Sequence, residues 1–336
     1  MRAPFAWHPL RPVAPRPRPA KAKTADAVGV GFLSLGLLGA LAGLSDGPLG
    51  LVPIALSVIL FGLPHGAVDH LVALGLAGRP LRPAPLAAVV LIYLGVALGM
   101  FAIWWQLPFV AATLFLAMTV YHWGKADLAF GRWRGDDPPK GFAAGLHLLV
   151  RGLIPIGIPF IAFPAESRAF LEACADLFPG EPRPPAPKAV STFTVLFLLL
   201  WLAEAGRLLR HFNRSRAFHT LRPIGEQLLL TAFFFYVPPL TAIGLYFCGW
   251  HGLRHLMRLG AYRDEDKEVA VSLPRVMLQS VPFTLAALAL LIGLVCLVPV
   301  GTDGIGWTAT YFVLISSLTV PHLVVVEWMD RRELGL

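Results

Sequence analysis

The chain contains ten histidines, and seven of them (His65, His70, His122, His147, His251, His255 and His322) fall within strongly apolar runs. Imidazole is costly in such surroundings unless it is hydrogen-bonded or binds a metal. The spacings are informative. In "GWHGLRHLM", His251 and His255 stand four positions apart, so both rings leave one face of a helix. In "FGLPHGAVDH", Asp69 shares a face with His65, whereas His70 points elsewhere. "YHWGKADL" sets His122 among aromatic residues and two charges, Lys125 and Asp127, and "VPHLVVVEW" gives His322 followed by Glu327. Imidazoles brought together from several helices suit Fe, Zn, Cu or Ni, and disfavour Mg or Ca, which prefer oxygen. Ligating imidazoles need acceptors for their second N–H. Asp69, Asp127 and Glu327 are the available acids, with Asp69 the best placed.

The elements that must position these rings follow from composition. The 336 residues are 56% hydrophobic and 14% charged, with a mean hydropathy of +0.67. Soluble domains carry about 25% charged residues. The fold class is therefore all-α, a polytopic transmembrane helical bundle of about 8–10 spans with an internal histidine-rich site. Residues 26–330 form one transmembrane domain, and residues 1–25, basic and rich in Pro and Ala, form a disordered cytoplasmic arm. Spans are expected near 27–44, 49–77, 86–105, 107–130, 142–163, 189–208, 273–299 and 306–328, with a hairpin of two helices broken at Pro238-Pro239 within 224–258.

The net charge of +8 sits in the N-terminal arm and in short loops between apolar runs. That is a positive-inside distribution, and it argues against nucleic acid as a partner. Ten spans with both termini cytoplasmic, in the cell's inner (plasma) membrane, put the clusters around Arg79, Arg132, Arg207–Arg222 and Arg331 inside. "SDGP", "WQLP" and "GTDGIG", which lack Lys and Arg, fall outside, as does the long 164–188 loop. Cys174, Cys248 and Cys296 are too scattered for a disulfide framework or a thiolate site.

In this topology His65, His122, His251, His255 and His322 all ride on inward-running spans. They lie about 12–16 residues from the outer ends, a depth of roughly 18–24 Å. Four spans thus deliver imidazole to one layer. His147 reads as structural, Lys125 and Asp127 as interfacial or salt-bridged to each other, and Arg254 as snorkelling or paired with a carboxylate.

Together, "GLPHGAVDH", "YHWGKAD", "WHGLRH" and the "PH" at 321–322 resemble the Brp/Blh family, the microbial membrane β-carotene 15,15′-dioxygenases. The motifs follow the family order from the second span to the last. The resemblance implies cleavage of the central double bond of β-carotene by Fe(II) and O2, giving two molecules of retinal. It implies His65, His122, His251 and His255 as iron ligands. His322 stands as a fifth ligand or a group supporting the ligands, with Asp69, His70 and Glu327 as further candidates around them. The partners implied are a carotenoid, O2, the lipid bilayer and a retinal-binding rhodopsin as product acceptor. Tyr121, Trp123, Tyr246, Phe247 and Trp250 flank the ligands and are candidates to line a substrate tunnel.

The same histidines are compatible with other classes of membrane protein. A membrane di-iron hydroxylase or desaturase also gathers histidines from several helices, but its adjacent His-His pairs are missing here. An ion or metal transporter would place titratable groups at several depths rather than in one layer. A carotenoid-binding helper protein would retain the ligand uncleaved.

Overall fold

Proline punctuates this chain, and its positions define the helices. The computed structural model describes residues 19–45, 48–137, 139–179, 187–215, 218–260, 263–264, 267–270, 272–298 and 304–334. The first helix is α1 (Pro19–Leu41). The helical stretch Val52–Leu76 comprises α2 (Val52–Ser57), a π-helical turn (Val58–Gly62), α3 (Leu63–Gly66) and α4 (Asp69–Leu76). Then come α5 (Pro83–Gln106), α6 (Pro108–Arg134), α7 (Phe142–Ala162), α8 (Pro164–Ala175), α9 (Pro187–Ser215) and α10 (Arg222–Tyr236). Next, α11 (Pro239–Tyr246) continues through a second π-helical turn (Phe247–His251) into α12 (Gly252–Leu259). A short antiparallel pair, β1 (Arg263–Asp264) and β2 (Lys267–Ala270), precedes α13 (Leu273–Leu297) and α14 (Gly304–Leu334). α5, α6, α8, α11 and α13 carry proline in their first turn, where the missing N–H costs nothing. Pro238, extended at φ −52° and ψ 144°, breaks α10 from α11 and makes the expected hairpin.

Among the described residues seven helical segments are long and apolar enough to cross a membrane, and the chain is a multi-pass membrane protein. The three other expected crossings fall on α6, α10 and α11–α12. These are shorter or more polar because they carry Lys125, Asp127, Glu226 and Arg254. α5, α9 and α13 show large exposed aliphatic side chains, among them Leu91, Leu199 and Ile292, as lipid-facing helices should.

Two expectations are corrected. Residues 1–18 of the expected arm lie outside the described residues, but Pro19–Ala25 belong to α1, because Ala22 and Ala25 bury against Phe130 and Trp133. The 164–188 segment is not simply a loop. α8 folds back over the bundle, held by the Ser167 hydroxyl donating to the Pro159 carbonyl at 3.0 Å.

Close helix contact fixes the position of His122. A Cβ added at Gly124 would lie 2.0 Å from the Leu148 carbonyl oxygen, and one at Gly152 would lie 1.8 Å from that of Val120. These reciprocal glycines let the α6 and α7 backbones touch, as small residues do between membrane helices.

A buried charge layer ties together five helices. Asp127 accepts from the Trp250 indole N–H (3.0 Å), Arg254 Nη1 (3.2 Å) and Arg151 Nε (2.7 Å). Arg254 also donates to Asp26 of α1 (2.8 Å), and Arg151 donates to Glu226 of α10 (3.0 Å). The Arg254 guanidinium stacks 3.4 Å from the Trp250 ring centre. Each buried charge therefore has an opposite partner, the condition under which such groups are tolerated.

Candidate metal centre

Five histidines from four stretches of chain meet inside the bundle, each almost fully buried. His65 contacts His322, His251 and His255 at ring-centre distances of 4.8, 5.6 and 5.7 Å. His122 contacts His251 at 5.0 Å and His322 at 5.1 Å, and His255 lies 5.6 Å from His322. One ligand atom from each of His65, His122 and His322 falls within 4.8 Å of the other two.

Local backbone irregularity accompanies these rings. The π-helical turn Val58–Gly62 ends three residues before His65, and the turn Phe247–His251 ends on His251 itself. Such turns inside α-helices recur at functional sites because they rotate the following side chains out of the α register. Pro64 and Pro321 immediately precede His65 and His322. A proline leaves the carbonyl four residues earlier without its helical donor and loosens the helix there.

Hydrogen bonds orient two of the rings. His65 Nδ1 donates to the Phe61 carbonyl at 2.9 Å. His322 Nδ1 donates to Asp69 Oδ2 at 2.8 Å, and the Tyr93 hydroxyl donates to the same carboxylate oxygen at 3.1 Å. Each of these bonds fixes the tautomer and leaves Nε2 as a lone-pair donor. Gly66 packs beside the pair, and a Cβ there would sit at ordinary contact distance, 3.5 Å, from His322 Nδ1. Nε2 of His122, of His251 and of His322 is buried without a hydrogen-bond partner. Three orphaned nitrogens in one cluster of histidines fit an imidazole-ligated transition metal, because a buried polar atom otherwise finds a partner.

Two apolar cavities border the cluster. The first, about 640 Å³, is lined by His65, His122, His251 and His322, with Trp123 and Phe247 beside them. The second, about 810 Å³, lies between α5, α13 and α14 and touches His65, Asp69, His70 and His322.

The family model described as β-carotene 15,15′-dioxygenase matches residues 56–330. This chain belongs to the β-carotene 15,15′-dioxygenase family. It is 34% identical to the probable β-carotene 15,15′-dioxygenase Blh of Halobacterium salinarum, over 96% of both chains. It is 27% identical to the β-carotene 15,15′-dioxygenase of uncultured marine bacterium 66A03, over 82% of this chain and 93% of that relative. The probable dioxygenase Brp of Halobacterium salinarum matches more locally, at 33% identity over 33% of this chain and 36% of the relative. No solved structure matches the chain.

For a member of this dioxygenase family, the remaining candidate residues divide clearly. His70 stands outside the cluster, bonded through Nδ1 to the Ala67 carbonyl (3.1 Å) and packed on Phe283. Among the described residues Glu327 makes its polar contacts away from the histidines. It pairs with Lys125 and accepts from the Tyr121 hydroxyl at 2.9 Å. Lys125 and Asp127 do not pair with each other, because Asp127 faces Arg151 and Arg254 instead. His147 bonds to Glu204 at 2.7 Å, between α7 and α9. Of the tunnel candidates, Trp123 and Phe247 line the first cavity. Tyr121, Tyr246 and Trp250 line neither cavity: Tyr121 is tied to Glu327, Tyr246 lies in the apolar core and Trp250 supports Arg254. Tyr93, unnoticed in the sequence, holds Asp69, and its signal is a lone hydroxyl within the apolar run "AVVLIYLGVALG".

Proposed function

We propose that this chain cleaves the central 15,15′ double bond of β-carotene with O2, giving two molecules of all-trans-retinal. The iron(II) ligands are His65, His122, His251 and His255, with His322 completing the set. In the reaction the C=C bond breaks and each of its carbons takes one atom of O2 as an aldehyde oxygen. Iron(II), when bound, supplies the redox activity that lets triplet O2 react with a closed-shell alkene. The protein's part is binding and orientation. Asp69 and the Phe61 carbonyl hold the two proline-preceded rings in their ligating tautomer. Trp123, Phe247 and the apolar walls of the first cavity receive a hydrocarbon chain beside the cluster and exclude water from it.

The observation that carries this reading is the convergence of unpartnered Nε2 atoms of His122, His251 and His322 beside an apolar cavity. The charge distribution supports an inner-membrane location with both termini cytoplasmic. Retinal is apolar, and a retinal-binding rhodopsin in the same membrane is a fitting acceptor. Expression in β-carotene-accumulating bacteria tests the proposal: colour should fade as retinal forms. Persistent colour without retinal, in cells containing folded iron-loaded protein, would overturn it.

A further inference from the structure

A reaction at the midpoint of a long chain needs room for the chain on both sides of the reacting bond. The first cavity provides only one side. Its lining ends at His65 in α3, Trp123 in α6, His251 in the second π-helical turn and His322 in α14. The cluster therefore lies at the inner end of this chamber. The second cavity starts at the same place, since His65, Ile315, Thr319 and His322 line both. At this waist the Thr319 hydroxyl donates to the Ile315 carbonyl at 2.7 Å, which uses its proton within the helix.

We infer that the second cavity, between α5 and α13, holds the second half of the polyene and is the opening through which the substrate arrives from the bilayer. This rests on the proposed carotenoid cleavage and extends it to a region outside the cluster. Small side chains at Ala97, Ala287 and Gly293 give the chamber its width. Its outer rim faces lipid, with Leu98 65% and Leu297 84% exposed. A hydrocarbon can pass this rim without leaving apolar surroundings. His70 and Phe283, packed at a ring-centre distance of 4.2 Å, wall the inner end.

Ala97→Phe and Ala287→Phe fill the chamber from opposite walls and leave every histidine in place. Each variant is compared with the unmodified iron-loaded enzyme on β-carotene and on β-apo-12′-carotenal, whose chain stops shortly beyond the same bond. Cleavage of β-carotene should fall by about tenfold or more through misplacement of the reacting bond, while turnover of the short substrate stays within about twofold. β-Carotene retained by anaerobic, iron-loaded protein should fall in parallel, with iron content unchanged. Unaltered β-carotene cleavage in both variants, or an equal fall for both substrates, would overturn the assignment. An unmodified enzyme that cleaves neither substrate would count against the proposed function instead.

Discussion

Asp69 Oδ2 and His322 Nδ1 stand 2.8 Å apart and join α4 to α14 across 253 positions of sequence. The carboxylate lies behind the ring and directs Nε2 into the cluster. Asp69→Asn keeps the shape and removes the charge, so iron affinity should fall about 10–100-fold. Titration of the metal-free protein with Fe(II) measures this. Tyr93→Phe, which removes one of the carboxylate's donors, should give a smaller fall in the same assay.

Alanine substitution at His65, His122, His251 or His255 should each abolish retinal formation and lower the iron bound per chain. His147→Ala should leave iron content unchanged, because that ring is committed to Glu204. Metal analysis of the purified variants checks both statements, and full iron with full activity in one of the first four would remove that residue from the ligand set.

Chelation should inactivate the enzyme without unfolding it, because the bundle also rests on a buried charge layer and a large apolar core. Activity should return with Fe(II) and not with Mg(II), which prefers oxygen ligands. Circular dichroism before and after chelation reports whether the fold survives.

Asp127→Ala leaves Arg151, Arg254 and the Trp250 N–H facing an empty place. Removing one partner of a buried ion pair costs about 3–5 kcal/mol, so thermal unfolding should shift sharply downwards.

Gly124→Ala or Gly152→Ala drives a methyl group into backbone of the facing helix. Overpacking of this kind costs about 1–3 kcal/mol. Because Gly124 is two residues from His122, iron affinity should weaken along with the melting temperature.

The five histidines were legible in the sequence because ionisable side chains stand out against lipid-length apolar runs, and helical rise alone puts them at one depth. Their partners were harder to read. Asp69 is four residues from His65, yet it serves His322, since the chain between Gly66 and Asp69 leaves regular helical geometry at Val68 (φ −98°, ψ 3°). The same limit applies to Trp250, which neighbours His251 in sequence but turns to Arg254 and Asp127 in space. Periodicity describes one helix at a time, whereas these contacts depend on how helices far apart in sequence pack. The helix α8 was hidden for another reason, as its polar composition resembles that of a connecting loop.

His322 comes from α14, and α14 also lines both chambers. During synthesis the earlier histidines therefore enter the membrane well before the last wall of the reaction vessel exists. An unfinished polypeptide lacks one imidazole of the cluster and one wall of each chamber. The cluster and its two chambers are whole only once this last helix has packed.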